Sequence, residues 1–321
     1  MEQILKLTVP TPFPVGDVNM YLIKGDSLTL IDAGIKTEEA WNVFRTQLKE
    51  YGYRPEDIEQ VVITHHHPDH VGLLEYLPAD LPVIGHPKNE PWISQDKEYL
   101  TQRESFFTSL FFQAGIDPAY MPLIAKMKLS LRFSCTRSLT REIIQGDTID
   151  GLHEWKVIET PGHAQSHIVL YRESDGLLIA GDHLLAAISP NPLLEAPMFG
   201  EINRPKPQLQ YNESIKKLLD IDISYAFTGH GEDIEDAHSL ILKRLDKQKE
   251  KAYYVLDMLK KKPMTAFEVC KQLYPSVYQK ELALTMSEAF GQLDYLVDIN
   301  EIVVDTSSEQ WLYSAQVSKV L

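Results

Sequence analysis

Short apolar runs that end in glycine or polar residues recur along the first three quarters of the chain. Runs of this kind, bounded by turn residues, are typical of buried strands. They cover residues 27–31, 61–63, 155–160, 177–180 and 223–227. A different pattern fills residues 86–145, where apolar side chains recur at spacings that predict two or three amphipathic helices with a break at Asp117-Pro118.

The last quarter of the chain is predicted to be mainly helical. The predicted elements are helices at 236–262, 265–273 and 280–297 and strands at 302–304 and 310–313. Thr265 and Glu268 match a capping box at the start of the second helix. Helix, helix and hairpin form a winged-helix pattern. We therefore expect a small winged-helix-like domain over 241–321 after a larger domain over 1–240.

The winged-helix-like segment has two interpretations, contact with nucleic acid or a packing or dimerisation role. Lysine and arginine make the predicted helix at 236–262 basic, but such runs are usually solvated helix faces. The opening of the predicted recognition helix, residues 279–283, offers one lysine beside a glutamate. Side chains that read the major groove are mostly Arg, Lys, Asn or Gln. We therefore favour the packing role.

Residues 64–70 concentrate side chains that bind metals. Four potential ligands stand within six residues, directly after an apolar run: His65, His67, Asp69 and His70. Imidazole and carboxylate bind first-row metals, and strand alternation can direct His65 and His67 to the same side. Pro68 fits the first turn of a helix that continues to Leu74. Two ligand pairs could then face two adjacent metal ions. His66 is out of phase and is interpreted as a surface residue or one that orients a ligand.

Further ligand-type residues follow three of the predicted strands, each directly after a glycine. They are His163, Asp182 and His230. Glycine permits the tight turns that would bring them to one edge of a sheet. Gly-His and Gly-Asp are common in turns, so each pair alone would be weak evidence. Asp32, at the end of another run, is predicted to hydrogen-bond a ligand from behind the metal.

Together, this set resembles the metallo-β-lactamase superfamily of metal-dependent hydrolases, across residues 20–232. The matching residues, in order, are Asp32, His65, His67, Asp69, His70, His163, Asp182 and His230. The resemblance implies an α/β fold, a four-layer αβ/βα sandwich with metals at the sheet edges. It also implies the ligand sets: His65, His67 and His163 for one metal, Asp69, His70 and His230 for the other, and Asp182 bridging them.

Departures from individual branches narrow the choice. Enzymes that hydrolyse β-lactams commonly carry Cys or Ser in place of Asp182 or His70, so antibiotic hydrolysis is disfavoured. Flavodiiron oxygen reductases alter the histidine block and add a flavodoxin domain, and neither feature is present. The RNA- and DNA-processing branch inserts a whole domain between the bridging Asp and the last His. The stretch from Asp182 to His230 is too short for that insertion and is rich in proline.

Composition adds limits on the partners and on the compartment. The chain has 321 residues, 44% of them hydrophobic and 24% charged, and a formal net charge of −15. This acidity disfavours non-specific binding to nucleic acid or anionic membranes. Cys135 and Cys270 lie far apart and are expected to be buried free thiols. The first six residues lack a signal-peptide pattern and no run could span a bilayer, so we expect a cytoplasmic protein without a membrane partner.

The helical block at 86–145 is longer than most connections between sheet elements and is interpreted either as core or as a lid over the site. Its aromatic and methionine side chains would suit an acyl substrate. Its basic residues could instead pair with an anionic tail of the substrate. Those residues are Lys126, Lys128, Arg132, Arg137 and Arg141. His167 and His183 are expected to orient a ligand or the substrate, whereas His86, His153 and His238 are taken as structural.

The expected cofactors are two divalent metal ions, with Zn²⁺ as first choice and Mn²⁺ or Fe²⁺ as alternatives. A hydroxide between the two metals would be the nucleophile, and Asp69 would orient it or pass its proton to the leaving group. The favoured substrate is a small thioester or ester, by similarity to glyoxalase II and the acyl-thioester hydrolases. Single-stranded RNA cleavage is the first alternative. A lactonase is the second, although Leu184 follows where quorum-quenching lactonases carry a Tyr.

Overall fold

Two β-sheets form the centre of the molecule. A computed structural model describes residues 3–120, 122 and 128–316. The first sheet contains β1 (Gln3–Val9), β2 (Val18–Lys24), β3 (Leu28–Ile31), β4 (Gln60–Ile63), β5 (Val83–Gly85) and β6 (Arg141–Glu142). The second contains β7 (Thr148–Ile149), β8 (Leu152–Glu159), β9 (Ile168–Arg172), β10 (Leu177–Gly181) and β11 (Tyr225–Thr228).

The strands of the first sheet follow chain order, from β1 to β6. The pairs β1–β2 and β2–β3 are antiparallel, and β3 to β6 run parallel. The second sheet has the order β11-β10-β9-β8-β7, and its pairs are antiparallel except β10–β11. Strand β6 lies inside the block 86–145 that was predicted as helical. The end of that block therefore belongs to the sheet.

Eight helices among the described residues pack on the two sheets or against one another. They are α1 (Glu38–Glu50), α2 (Pro68–Val71), α3 (Glu90–Ile93), α4 (Lys97–Gln113), α5 (Pro207–Lys217), α6 (Ala237–Leu259), α7 (Ala266–Leu273) and α8 (Leu282–Asp298). Short 3₁₀ turns occupy Pro55–Asp57, Gly72–Glu75, Pro87–Asn89, Pro118–Tyr120, Lys128–Phe133 and Leu218–Asp220. A small antiparallel sheet of β12 (Ile302–Asp305) and β13 (Leu312–Ala315) ends the described chain.

Three apolar clusters define four layers. The middle cluster lies between the sheets and includes Val62 and Trp155. A second cluster joins the outer face of the first sheet to α1, and a third joins the outer face of the second sheet to α5 and α6. Strand β4 shows the alternation, since Val61 packs in the outer cluster while Val62 packs between the sheets. The predicted four-layer αβ/βα sandwich is confirmed.

A fourth cluster joins α4 to the C-terminal helices. Phe107 and Phe111 of α4 pack with Phe267 of α7 and Phe290 of α8. The predicted order of helices and hairpin is observed, and Thr265 caps α7 with the predicted capping box. Because one apolar core connects the block at 86–145 with the C-terminal segment, the two pack as neighbours over the sandwich. The boundary at residue 240 and the winged-helix assignment remain predictions.

One local prediction needs correction. The helix after Pro68 ends at Val71 and continues as a 3₁₀ turn, instead of running as one helix to Leu74. A side chain at Gly72 would lie 2.1 Å from the Lys36 nitrogen, so this turn packs directly against backbone. In the block at 86–145, two of the two or three predicted helices lie within the described residues, namely α3 with a single turn and the longer α4.

Other expectations concern the cysteines, the hydrophobic spacing and membrane spans. Cys135 and Cys270 are buried free thiols, as predicted. Met121, Ile124, Met127 and Lys126, which entered the prediction for 86–145, lie outside the described residues. Within the described chain, every helix is too short or too polar to cross a bilayer.

Candidate metal centre

The predicted ligands meet at one edge of the sandwich, where strands of both sheets end. β4 ends at Ile63, just before the histidine block, and β10 ends at Gly181, just before Asp182. β11 ends at Thr228, two residues before His230, and His163 lies in the turn between β8 and β9. Each ligand therefore follows a buried strand that fixes its starting point. The sequence-predicted set is brought together in full.

His65, His67 and His163 form the first cluster. The Nδ1 atom of His67 lies 2.9 Å from Nε2 of His65 and 2.9 Å from Nε2 of His163. One nitrogen from each ring lies within 4.8 Å of the others, so the three could hold one metal ion. Three imidazoles are a common ligand set of catalytic zinc sites.

Asp69, His70 and His230 form the second cluster. Their ligand atoms also lie within 4.8 Å of one another. The Oδ2 atom of Asp69 is 3.4 Å from Nε2 of His230. All three side chains are buried, which is expensive for a carboxylate unless a cation compensates its charge.

The carboxylate of Asp182 lies between the two clusters. Its Oδ2 atom is 3.5 Å from His163 Nε2 in the first cluster and 3.5 Å from His230 Nε2 in the second. Its Oδ1 atom is 3.4 Å from His70 Nε2. This position is the one required of a ligand that bridges two metal ions.

The non-ligating nitrogens of four histidines are held by hydrogen bonds. In each case the Nδ1–H group donates, over 2.7–3.0 Å. His70 donates to the Asp32 carboxylate and His65 to Thr64 Oγ1. His163 donates to the Asn191 carbonyl and His230 to the Asp17 carbonyl. Such contacts fix the ring and its tautomer, so that Nε2 is directed to the metal. His67 differs, since its Nδ1 faces the cluster.

Asp32 accepts three of the hydrogen bonds around the ligands, a group of supporting contacts that we call the outer shell. Its Oδ2 atom accepts from His70 Nδ1 and from Thr64 Oγ1, each at 2.8 Å, and Oδ1 accepts from the Thr64 amide at 2.7 Å. The Asp32 backbone has φ 61°, a left-handed conformation that aspartate tolerates better than most residues. These contacts match the orienting role predicted for Asp32.

The donor set fits divalent metal ions. Among the described residues, three buried ligand atoms have no hydrogen-bond partner, namely His70 Nε2, His230 Nε2 and Asp182 Oδ1. Buried polar atoms are normally paired, so unpaired atoms that converge on one space indicate a missing partner. Imidazole and carboxylate donors at this spacing suit Zn²⁺, Mn²⁺ or Fe²⁺.

The electrostatics of the cluster agree with cation binding. Burial, followed by repulsion from His70 and His67, holds the pKa of His65 well below its usual value, so its ring is neutral and offers a lone pair. Burial alone would lower the pKa of His230, but the Asp182 carboxylate raises it to about 10. Burial alone would raise the pKa of Asp182, but His230 and His70 hold it well below its usual range. The negative charge of Asp182, which favours the protonated form of His230, would also attract a metal ion.

Gly229 is required by the close approach of Asp182. A Cβ atom at Gly229 would lie 2.2 Å from Asp182 Oδ1 and 3.0 Å from His70 Cε1. Any side chain there would therefore push the carboxylate out of its position between the clusters. Glycine is therefore needed before His230 for steric reasons, in addition to its role in the turn.

His167 and His183 lie behind the cluster. His167 accepts from the Asp182 backbone amide at 3.2 Å, and its other nitrogen contacts Thr160 Oγ1 at 2.8 Å. His167 therefore positions the backbone of the central carboxylate, which fits the orienting role predicted for it. His183 is buried, and its ring packs beside His167 and Tyr211. The predictions that these histidines act on a ligand or the substrate remain predictions.

His66 is not on the surface, contrary to one of the two interpretations given above. It is 4% exposed and stacks on Trp92, with ring centroids 4.2 Å apart. Its Nδ1 contacts Ser166 Oγ at 2.8 Å, and its Nε2 is 3.3 Å from Glu195 Oε1. Glu195 was missed by sequence reasoning because it stands in a proline-rich loop without periodicity. Burial raises the pKa of Glu195 to about 7.

Two arginines predicted as anion partners are engaged elsewhere. Arg137 donates to backbone carbonyls of Leu74, Pro78 and Leu81, and Arg141 pairs with Asp150. Neither is available to a substrate at the metal centre. An arginine that sequence reasoning left unmentioned, Arg103 of α4, lies in the wall of a pocket beside His66 and His67.

Comparisons with known proteins agree with this geometry. The family model described as "Metallo-beta-lactamase superfamily" matches residues 13–230. The "Probable metallo-hydrolase YqjP" of Bacillus subtilis (strain 168) is 49% identical over 295 residues, 92% of each chain. A "Hydroxyacylglutathione hydrolase" of Chelativorans sp. (strain BNC1) is 26% identical over 66% of this chain and 62% of its own. The crystal structure of the metallo-beta-lactamase family protein TTHA1429 from Thermus thermophilus superposes with a TM-score of 0.83 at 25% identity, covering 98% of both chains.

Proposed function

The chain belongs to the metallo-beta-lactamase superfamily and is a metal-dependent hydrolase, and from this premise we propose that it hydrolyses small thioesters or esters. The observation that carries the proposal is a mainly apolar pocket that shares His67 with the metal centre. Its volume is about 150 Å³. Its apolar walls include Trp92, Phe107, Phe111, Leu131, Leu194 and Leu284. Such a pocket suits an acyl group whose carbonyl lies at the metals.

The residues of the two clusters would bind two different metal ions. His65, His67 and His163 would hold one metal, Asp69, His70 and His230 the other, with Asp182 shared. When bound, the two divalent cations would acidify a water molecule and polarise the substrate carbonyl. Asp69 would accept the proton of that water and pass it to the departing thiolate or alkoxide. The hydrogen bonds behind His65, His70, His163 and His230 would hold these ligands in place during the reaction.

The position of α8 supports an acyl substrate over RNA. This helix is the predicted recognition helix, yet most of its residues are buried against the rest of the protein. The Asn191 side chain donates to the Leu284 carbonyl at 3.0 Å, and the Leu194 amide donates to Ser287 Oγ at 3.0 Å. Because its first turns form part of the pocket wall, they are not free to enter a groove of nucleic acid.

Basic residues of α6 are also partly committed. Lys251 pairs with Glu288 of α8 at 2.6 Å, and Arg244 donates to the Leu185 carbonyl. These contacts fasten α8 and the loop after Asp182 to α6. They fit the packing role proposed for the C-terminal segment.

A side-by-side substrate screen tests the proposal. Protein loaded with Zn²⁺ or Mn²⁺ would be assayed on N-acetylcysteamine thioesters, p-nitrophenyl esters, acyl-homoserine lactones and single-stranded RNA. We expect turnover of thioesters or esters, lost in the Asp182→Ala variant. Activity that persists in this variant would come from a contaminating hydrolase, so the variant serves as the control. Hydrolysis of RNA alone, or of lactones alone, would reject the proposal and select the corresponding alternative.

A further inference from the structure

Arg103 is a buried cation in an apolar wall. Its residue exposure is 9%, and it lines the pocket that adjoins His67. The guanidinium carbon lies 5.1 Å from the centre of the Trp92 ring and 5.2 Å from that of Phe107. Trp92 in turn stacks on His66. The pocket therefore joins Arg103 to the segment that carries the metal ligands.

The Arg103 guanidinium lacks a protein partner among the described residues. Its Nε atom is buried without a hydrogen-bond acceptor. No carboxylate among the described residues forms an ion pair with it, which would require an N···O distance of 4.0 Å or less. Glu195, the carboxyl group that lines the pocket, makes no ion pair with Arg103 among the described residues. Its Oε2 accepts from the amide and the side chain of Gln165, and its Oε1 lies 3.3 Å from His66 Nε2 without a hydrogen-bond partner.

Keeping a cation in this position is costly. Burial of a charge is unfavourable unless it is paired and hydrogen-bonded, and contacts with two aromatic faces compensate only part of the cost. Consistent with this, burial lowers the pKa of Arg103 from its ordinary value. A ligand that brings an anionic group into the pocket would supply the missing partner.

We propose that Arg103 selects substrates whose acyl group ends in a carboxylate, such as a short dicarboxylic acid joined through one carboxyl group as a thioester or ester. The proposal rests on the function proposed above and assigns its substrate class. The scissile carbonyl would lie at the metal centre and the distal carboxylate at Arg103. Arginine presents two parallel N–H groups that match the two oxygens of a carboxylate.

The size and chemistry of the pocket favour a short acyl carboxylate. A cavity near 150 Å³ holds a benzene-sized molecule, which is about the size of a succinyl or glutaryl group. Arg103 is the one Lys or Arg among the described residues that line the pocket. A phosphate dianion would need further donors, whereas a carboxylate is satisfied by one guanidinium.

The first test compares matched substrates in the metal-loaded enzyme. The N-acetylcysteamine thioesters of succinate, of its neutral monoamide and of butanoate differ in the distal group. We expect a higher kcat/KM for the succinyl thioester than for either neutral one. In the Arg103→Gln variant, the ratio of succinyl to butanoyl kcat/KM should fall about 10- to 100-fold, mostly through KM, as expected for loss of one charge-assisted pair. Arg103→Lys, which keeps the charge, should retain part of the preference.

Arg45 provides a matched control. It lies on α1 with its guanidinium carbon 5.6 Å from the centre of the Trp41 ring, away from the pocket. The Arg45→Gln variant should keep the wild-type ratio of succinyl to butanoyl turnover. An unchanged ratio in Arg103→Gln, or an equal loss on charged and neutral thioesters, would overturn the proposal.

A binding measurement separates this inference from the proposed function. Calorimetric titration of the metal-loaded protein with succinate and with butanoate requires no turnover. We expect succinate to bind at least about tenfold more weakly to Arg103→Gln than to the wild type, and butanoate to bind both alike. If the wild type hydrolyses no thioester or ester, the proposed function fails, and this titration still decides the role of Arg103. Equal succinate affinity in both proteins would refute it.

Discussion

The metal centre and the pocket beside it share His67, but their other parts come from the chain in different ways. Every ligand follows a strand end of one sandwich edge, so a local pattern places each of them. The pocket is built from α4, the loop after Asp182 and the start of α8, which are distant in sequence. Local pattern therefore predicts the side chains that could hold the metals, while long-range packing decides the shape and chemistry of the pocket beside them.

Removal of the shared ligand should have the largest effect. In Asp182→Ala the two clusters lose the shared carboxylate, whose two oxygens lie 3.4–3.5 Å from the Nε2 atoms of three of their imidazoles. We expect bound metal below two ions per chain and kcat/KM on the best thioester reduced at least about 1000-fold. Elemental analysis and steady-state kinetics measure the two. His153→Ala, which changes an exposed imidazole, should keep both at the wild-type level. Full metal content and rate in Asp182→Ala would refute the ligand assignment.

The helical half of the molecule, meaning α4 and the C-terminal helices that share its core, should depend on a buried ion pair between the loop after Asp182 and α8. Arg204 pairs with Asp294 at 2.5 Å, and the two side chains are 15% and 7% exposed. Asp294→Asn leaves the guanidinium without its counter-charge and should lower the free energy of unfolding by about 3 kcal/mol. Urea unfolding followed by circular dichroism measures this. We expect one transition for the whole chain, because α4 and the C-terminal helices share one core.

Two resolved transitions would contradict that expectation and show that the helical half unfolds separately from the sandwich. Lys260→Gln, which removes an exposed pair with Asp257, is the matched control and should change stability little.

The outer shell of the metal centre should have an intermediate effect. Asp32→Asn removes the carboxylate that accepts from His70 Nδ1 but keeps a residue that tolerates the positive φ. We expect metal affinity or kcat to fall about 10- to 100-fold. Competition with a chelator and steady-state kinetics measure these. Asp26→Asn, at a carboxylate that is 84% exposed, should have wild-type values. Wild-type values in Asp32→Asn as well would show that Asp32 does not orient His70.

The smallest predicted effect concerns the cap of α7. Thr265 Oγ1 accepts from the Glu268 amide, and the Glu268 carboxylate accepts from the Thr265 amide. Thr265→Ala should lower the free energy of unfolding by about 1 kcal/mol. Thr265→Ser keeps the hydroxyl and should lose less, as judged from urea unfolding midpoints. Equal losses in both variants would indicate packing of the threonine methyl near Gly115, and not the hydrogen bond, as the source.

Much of the fold and of the ligand set could be predicted from sequence because strand ends and glycine turns are local features. The block at 64–70, His163, Asp182 and His230 each follow an apolar run, and the structure brings them to one edge. Prediction was wrong where contacts from distant residues decided the outcome. The helix after Pro68 ends at Val71, and the next residue, Gly72, packs against the Lys36 backbone. Residues 141–142 join the sheet through pairing with β5.

By itself, the sequence determined the four-layer fold and the class of metal-dependent hydrolase, and it predicted the candidate ligands that the structure brings to one edge. Only the tertiary structure decided that His66 is buried, that Glu195 faces it, and that Arg103 lines the pocket while Arg137 and Arg141 are used elsewhere. The physical reason is the range of the interactions. A strand and its turn set the direction of the next few side chains, whereas the partner of a buried charge depends on segments that meet only when the chain packs.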